Sequence, residues 1–343
     1  MPRHHYLPAA YLGYFSSESI GKLRSRHLFS KDLESGKIFN VSANNIGCVK
    51  NLYTETIESI WNDYESGLIK AIDDLLLGKL TAITWARVLV PFVAGMLVRG
   101  PEFDERFEER LEWTKDIPNF NINTNIARIM ELQRLLAPIL AAHWLVMQTS
   151  GSPNLIINDI GYIPYEDFQY NQTGYAIPIT RNNLLGIIPN QNKLIAYRVA
   201  GEWYPVIKYV NLSKNNHIGF NNSSARFAHR FIYGDSEALV AKYSRSKLHE
   251  TVQMPEPGQL GFIDGKMAVL HEFTWHKFVS ALEGPSNSRM PPDFNFNFDV
   301  LSKGWCPPIY FPANLPGFIP GLFNDENRFY IDLYTPHDVD EIL

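Results

Sequence analysis

The spacing of hydrophobic residues changes part-way along the chain. Residues 56–77 carry apolar side chains at intervals of three and four, and residues 81–99 are apolar nearly all round, which predicts two helices. Residues 126–142 predict a third helix that bends at Pro138. From residue 144 onward, short runs of β-branched and aromatic residues alternate with turn residues, which predicts strands.

A hairpin is expected ahead of the helices, because residues 26–33 and 37–41 are strand-like and flank a Glu-Ser-Gly turn. Helices followed by strands favour an α+β fold over a doubly wound parallel sheet. The pattern therefore predicts an amino-terminal hairpin and helical half, followed by a mainly antiparallel β half.

The same pattern predicts how the chain is divided. Residues 1–245 are expected to form a single α+β domain, with its helical part at about 55–143 and its β-rich part at about 144–245. Residues 246–343 are rich in proline and aromatic residues and predict an irregular extension packed on that domain.

Two later segments carry local signals. Residues 222–233 predict a short capped helix, with Gly234 as its stop. Asp264-Gly265 is a turn dipeptide between residues 260–263 and 267–270, which predicts a second hairpin.

The composition is that of a folded protein, with 343 residues, 45% hydrophobic and 20% charged, and a net charge of -5. Two cysteines are too few for a disulfide framework or a structural zinc site. The first residues lack a signal pattern, and the longest apolar stretches are shorter than the roughly 20 residues of a membrane span. We expect a soluble, cytoplasmic protein.

Positive charge is concentrated in residues 193–249, which hold nine Lys and Arg against three Asp and Glu, with aromatic residues interleaved. Such a surface suits single-stranded nucleic acid or another polyanion. Arg226 and Arg230 are four apart on the predicted helix and His229 lies near them, so these three are the candidate polyanion-binding residues. Alternatively, the arginines pair with the acidic segment 102–116 and help to dock the two halves.

Strong catalytic signatures are absent from the sequence: it has no phosphate-binding Gly-rich loop, no His-Glu-x-x-His, no Gly-x-Ser-x-Gly and no Cys-x-x-Cys. The sequence motifs therefore identify no reaction, and they leave open whether the protein is an enzyme.

An ordered set of short motifs runs through the first part of the chain: His5-Tyr6-Leu7-Pro8, Tyr11-Leu12, Asn51-Leu52-Tyr53, Tyr64-Glu65 and Arg99-Gly100-Pro101. Further matches follow at Trp144, Asp159, Ile177-Pro178-Ile179, Asn221 and residues 226–233. Together they resemble the bacterial domain of unknown function 4238 family, over about residues 4–235. The resemblance implies an uncharacterised prokaryotic cytoplasmic protein without an established reaction.

Four of the motif residues form a candidate catalytic site. His5 is the candidate general acid or base, Glu65 or Asp159 its partnering carboxylate, and Arg99 the cation that stabilises developing charge. Structural roles are the alternatives: an ion pair for Glu65, a cation at a helix carboxyl end for Arg99, and a turn for Asp159.

Metal and cofactor needs follow from residue spacing. No His, Asp or Glu set has the spacing of metal ligands, so we expect no structural zinc and no cofactor. A weak Mg²⁺ or Mn²⁺ held by Glu65 and Asp159 is the one exception left open.

Two functions are compatible with this sequence. The first is a hydrolase acting on nucleic acid or another phosphate-bearing substrate. The second is a non-catalytic interaction protein of a defence or mobile-element locus, which uses the basic, aromatic half to hold a polyanion or a protein partner.

Overall fold

The structure is a computed structural model that describes residues 3–104, 124–149, 154–167, 172–188, 193–245, 265–284 and 321–332. These residues form an α+β fold, as the hydrophobic pattern predicts. Helices dominate the earlier part of the described chain, and mostly antiparallel sheets dominate the later part.

The amino-terminal segment combines a short ribbon with the predicted hairpin. Its elements are β1 (Arg3–His5), α1 (Ala9–Leu12), β2 (His27–Asp32), β3 (Ile38–Ser42) and β4 (Cys48–Lys50). Strands β2 and β3 pair antiparallel and confirm the hairpin. Strands β1 and β4 pair antiparallel as a separate two-stranded ribbon.

The helical part contains α2 (Glu55–Glu65), α3 (Leu68–Leu76), α4 (Ala82–Thr84), α5 (Val90–Val98) and α6 (Thr124–Ala141). The single helix predicted for residues 56–77 is divided into α2 and α3. Gly67 causes this break, because its φ of 87° lies in the left-handed region that side chains disfavour.

The second predicted helix is also more irregular than expected. A π-helical turn, Trp85–Leu89, joins α4 to α5. Pro91 then lies in the first turn of α5, directly after the π-helical turn. Every residue of α5 is buried, as its uniformly apolar sequence predicts.

The β-rich part is built mainly from antiparallel pairs. Its strands are β5 (His143–Thr149), β6 (Ile157–Asn158), β7 (Ile163–Asp167), β8 (Gln172–Thr180), β9 (Asn183–Ile188), β10 (Leu194–Val199), β11 (Glu202–Pro205), β12 (Ile207–Leu212) and β13 (Phe231–Gly234). One sheet has the order β12-β5-β9-β8-β7, in which β12 runs parallel to β5. A second sheet, β3-β2-β13-β6, joins the amino-terminal hairpin to two later strands.

The remaining elements are α7 (Lys214–Phe227), α8 (Glu237–Ala241), α9 (Gly265–Glu283), β14 (Gly321–Asp325) and β15 (Arg328–Asp332). The helix predicted for residues 222–233 is wrong in its bounds: α7 ends at Phe227, and β13 follows as a strand. Pairing of β13 with β2 and β6 explains the difference, because long-range partners determine strand formation.

The hairpin predicted around Asp264-Gly265 is also wrong, because Gly265 begins α9 and residues 267–270 are helical. Residues 260–263 lie outside the described residues. The helix packs along α6, and this tertiary contact outweighs the local turn signal. Strands β14 and β15 form a hairpin that pairs with β10, in a segment expected to be irregular.

Helix α5 and the side chains around it form the largest hydrophobic core. Side chains of α1, α3, α6 and α9 belong to the same cluster. None of the helices in the described part of the chain combines the length and apolarity that a bilayer crossing requires. The domain boundary near residue 245 stays a prediction.

Candidate functional site

Arg99, directly after α5, is the point where three of the predicted site residues meet. Its guanidinium forms an ion pair with Glu65, the last residue of α2, and its Nη2 donates a hydrogen bond of 2.7 Å to the backbone carbonyl of His5. The same guanidinium lies 4.8 Å from the centre of the Trp61 ring. The Arg99 carbonyl accepts a hydrogen bond from the Tyr53 hydroxyl. These contacts connect β1, α2 and α5.

The environment keeps Arg99 charged. Burial lowers its pKa, but the Glu65 carboxylate and the Tyr53 hydroxyl more than offset that effect, so the pKa lies above its ordinary value. Both Nη atoms are engaged, one by Glu65 and one by the His5 carbonyl. The side chain therefore holds Glu65 and β1 together.

His5 is half-buried and its ring is oriented by a backbone carbonyl. Its Nε2 lies 3.2 Å from the carbonyl oxygen of Asn44. A carbonyl only accepts, so Nε2 carries the proton and Nδ1 is the acceptor of the neutral ring. Burial lowers the pKa of His5, and the Asn44 hydrogen bond and the Glu65 charge partly offset this. The ring is therefore neutral at pH 7 and able to accept a proton.

Glu58 is a further carboxylate at this site that sequence reasoning missed. It lies seven residues before Glu65 on α2, and that spacing places both on one helix face. Its Oε2 is buried without a hydrogen-bond partner among the residues that the structure describes. Burial raises the pKa of Glu58, although the charges of Arg99 and His4 lower it.

Because the pKa of Glu58 is raised, removing its charge should stabilise the protein to an extent that depends on pH. Burial in the folded protein disfavours the ionised form of Glu58. The protonated side chain therefore contributes to stability at low pH, and this contribution is lost as pH rises through the raised pKa. Glu58→Gln should therefore raise the melting temperature slightly at pH 7 and leave it unchanged near pH 4. Glu202→Gln, at an exposed position on β11, is the control. An equal rise in melting temperature at both pH values would contradict this account.

His4 and His5 have different environments because adjacent strand residues face opposite sides. His4 is buried, its Nδ1 accepts a 2.9 Å hydrogen bond from the Tyr53 backbone N–H, and its ring stacks on Tyr53. His4 thus packs against Tyr53, just before α2, while His5 is the more accessible of the two.

Comparison with known proteins supports the resemblance in the segment that holds this site. Residues 3–139 match the model of a family described as "Protein of unknown function (DUF4238)". The amino-terminal part of the chain is therefore similar to this family. No curated protein and no solved structure matches the chain.

The DUF4238 match contains His5, Glu58, Glu65 and Arg99 and ends before Asp159. The resemblance predicted from the motifs extends to about residue 235, so its later part stays a prediction.

Asp159 makes its hydrogen bonds to the backbone at the start of β13. Its buried carboxylate accepts three backbone N–H groups, from His229 at 2.8 Å, Arg230 at 2.7 Å and Phe231 at 2.8 Å. Burial raises the pKa of Asp159, and these hydrogen bonds lower it in part. The carboxylate fixes the start of β13, and its hydrogen bonds do not involve His5, Glu65, Arg99, Trp61 or Tyr53, which together form the Arg99 cluster.

Arg226 and Arg230 do not share a helix face, which corrects the expected polyanion-binding surface. Arg230 lies beyond the end of α7, and its Nη2 donates a hydrogen bond of 2.8 Å to Oδ2 of Asp32. This hydrogen bond lowers the pKa of Asp32 well below its ordinary value. Glu34 lies 3.6 Å from Nε of Arg230. Arg230 therefore pairs with acids of the β2–β3 hairpin.

The other two residues of that surface lie in different environments. Arg226 is half-buried, with its guanidinium 5.7 Å from the centre of the Phe227 ring. His229 is exposed, and its backbone carbonyl accepts a hydrogen bond from Arg245. Polyanion binding at these three residues stays a prediction, and residues 105–116 of the alternative acidic partner lie outside the described residues.

Metal binding has no support from the geometry of the described residues, where no group of three or more His, Cys, Asp and Glu is placed to hold an ion. Glu65 faces a guanidinium and Asp159 faces three N–H groups. A Mg²⁺ or Mn²⁺ ion held by this pair stays a prediction.

Proposed function

We propose that the protein is a hydrolase that acts on a phosphate-bearing substrate, with His5 as its acid–base residue. The observation that carries this proposal is the state of the His5 ring. It is neutral because its pKa is lowered, its Nε2–H is fixed by the Asn44 carbonyl, and it lies beside the Glu65–Arg99 ion pair. A neutral, oriented imidazole next to a carboxylate is the arrangement that general-base catalysis requires.

In the proposed reaction, Nδ1 of His5 accepts a proton from a water molecule as the water oxygen attacks phosphorus. The bond from phosphorus to the leaving oxygen breaks, and that oxygen takes up the proton from the imidazolium. Glu65 stabilises the imidazolium through its negative charge, which acts on His5. Arg99 positions both groups by holding the Glu65 carboxylate and the His5 carbonyl.

Replacement of His5 tests this role. We expect the wild-type protein to hydrolyse p-nitrophenyl phosphate, bis(p-nitrophenyl) phosphate or a labelled single strand, and His5→Gln to lower kcat about 10²- to 10⁴-fold. His27→Gln is the matched control, because His27 is exposed on β2 and pairs with Glu18. Equal activity of His5→Gln and wild type would exclude His5 as the acid–base residue.

The pH profile gives a second test. The lowered pKa of His5 places its deprotonation below 6.5, so kcat/KM should rise with pH through a pKa below 6.5 and then level off. Steady-state rates between pH 4.5 and 8.5 measure this. An ascending limb centred above pH 7 would contradict His5 as the base.

Non-catalytic polyanion binding is the second candidate, and the state of Arg99 favours it. Each Nη atom of Arg99 already holds one partner and the side chain is buried, so the guanidinium is poorly placed to meet the charge that develops in phosphoryl transfer. Binding of a labelled strand without turnover, under saturating conditions, would support this candidate.

The cytoplasmic location belongs to the same proposal. A chain with two cysteines needs no oxidising compartment. Fractionation of cells that express the tagged protein tests the location.

A further inference from the structure

One short turn fixes three basic side chains of the amino-terminal segment. This is the 3₁₀ turn Ala43–Asn45, between β3 and β4. The Asn44 carbonyl accepts from Nε2 of His5, and the Asn44 Oδ1 accepts from Nε of Arg24, each at 3.2 Å. The Asn45 Oδ1 accepts from Nη1 of Arg3 at 3.2 Å. One imidazole and two guanidinium groups are therefore oriented by adjacent residues.

The β1–β4 ribbon adds a third cation on the same side as His5. Arg3 is opposite Lys50, and His5 is opposite Cys48. Alternate strand residues face one side, and directly paired residues share that side. Arg3, His5, Cys48 and Lys50 therefore line one face of the ribbon.

Arg24 acts on His5 through its charge. Burial is the main reason that the pKa of His5 is lowered, and the positive charges of Arg99 and Arg24 lower it further. Because Arg24 and His5 both hydrogen bond to Asn44, they lie close enough for a bound group to meet both side chains.

Within the described part of the chain, Arg3, Arg24 and Lys50 differ from Arg99 and Arg230 in having no acidic partner. Arg99 and Arg230 are in ion pairs with carboxylates. Arg3, Arg24 and Lys50 are exposed, and no carboxylate of the described residues forms a salt bridge with them. The contacts of Arg3 with Asn45 and of Arg24 with Asn44 orient the two guanidinium groups without neutralising them, because an amide carries no charge.

We propose that Arg3, Arg24 and Lys50 form a phosphate-binding site beside His5. Guanidinium groups with unengaged N–H donors bind phosphate oxygens in a forked geometry, and a lysine adds a point charge. Pre-orientation by Asn44 and Asn45 lowers the entropy cost of binding. The catalytic use of the site rests on the proposed function, since His5 would then act on the phosphate that the three cations hold.

Two sources of phosphate fit this chemistry: a small phosphate compound or the backbone of a single strand. Inorganic pyrophosphate is the probe for the first, measured by calorimetry. A labelled 20-nucleotide single strand is the probe for the second, measured by anisotropy at two salt concentrations. If pyrophosphate displaces the labelled strand with an inhibition constant equal to the dissociation constant of pyrophosphate, both ligands use the same cations.

Single charge removals test the site. Arg3→Gln, Arg24→Gln and Lys50→Gln should each weaken binding about 3- to 10-fold, and each should reduce the slope of strand affinity against log salt by about 0.7. Lys37→Gln, at an exposed position in the β2–β3 turn, is the matched control and should change neither. Melting curves establish that the variants are folded.

The orienting role of the turn has its own test. Asn45→Ala keeps every charge and releases only Arg3 from its hydrogen bond. It should weaken pyrophosphate binding by less than Arg3→Gln does, while leaving the salt slope for the strand unchanged. Full wild-type affinity in Asn45→Ala would refute pre-orientation by the turn.

Binding and turnover measurements distinguish a wrong phosphate site from a wrong reaction. His5→Gln should retain pyrophosphate and strand binding while losing hydrolysis. Binding that depends on Arg3, Arg24 and Lys50, in a wild-type protein without turnover, would support the site and overturn the hydrolase. If a folded triple variant binds pyrophosphate and the strand as tightly as wild type, or if wild type binds neither, the phosphate site is overturned.

Discussion

Arg99→Met should destabilise the protein by about 3–5 kcal/mol, the usual effect of removing one partner of a buried ion pair. Only 5% of the Arg99 side chain is exposed, and its loss leaves the Glu65 carboxylate without its cation. The hydrogen bond to the His5 carbonyl is lost as well. Methionine keeps most of the apolar contact with Trp61, so the effect reports mainly on polar interactions. Urea denaturation measures it.

Arg87→Met is the matched control for Arg99. The Arg87 side chain is 54% exposed and pairs with Glu283, so its removal should cost less than about 1 kcal/mol. The double variant Glu65→Gln/Arg99→Met should recover part of the loss, because no unpaired charge remains. Equal effects at Arg99 and Arg87 would refute a special role for the Glu65 pair.

Asp159→Ala should cost about 3 kcal/mol, because three backbone N–H groups at the start of β13 lose their acceptor. The specific activity of the folded fraction should not change, since the carboxylate makes its hydrogen bonds to β13. Thermal unfolding and rates measured well below the melting temperature separate these effects.

Asp325→Ala is the control for Asp159. Asp325 is exposed in the β14–β15 turn and accepts one backbone N–H, from Asn327 at 3.2 Å, so its replacement should cost under about 1 kcal/mol. An Asp159→Ala variant with full stability and no activity would return Asp159 to the catalytic role.

The sequence was sufficient to predict the α+β class and three residues of the Arg99 cluster. Glu65 and Arg99 lie at helix ends, and a charged residue beside an apolar stripe is recognisable from its spacing. The ion pair itself was among the structural alternatives for Glu65. Local pattern was informative here because α2 has an apolar stripe at helical spacing and α5 is apolar throughout.

Long-range contacts explain what the sequence did not reveal. Glu58 has the spacing of Glu65, but its burial depends on where α2 lies against β1. Asp159 binds backbone groups some 70 residues away, which no local pattern encodes. Local pattern placed Arg230 on a helix. It could not show that residues 231–234 form a strand, because β13 depends on pairing with β2 and β6.

The β2–β13 pairing has a consequence for synthesis of the protein in cells. Asp32 pairs with Phe231, so β2 leaves the ribosome roughly 200 residues before its partner does. At about 5–20 residues per second, the nascent hairpin waits on the order of 10–40 seconds with an open edge. An unpaired edge is a template for association with other chains, so nascent chains on one messenger RNA are exposed to mispairing during this interval.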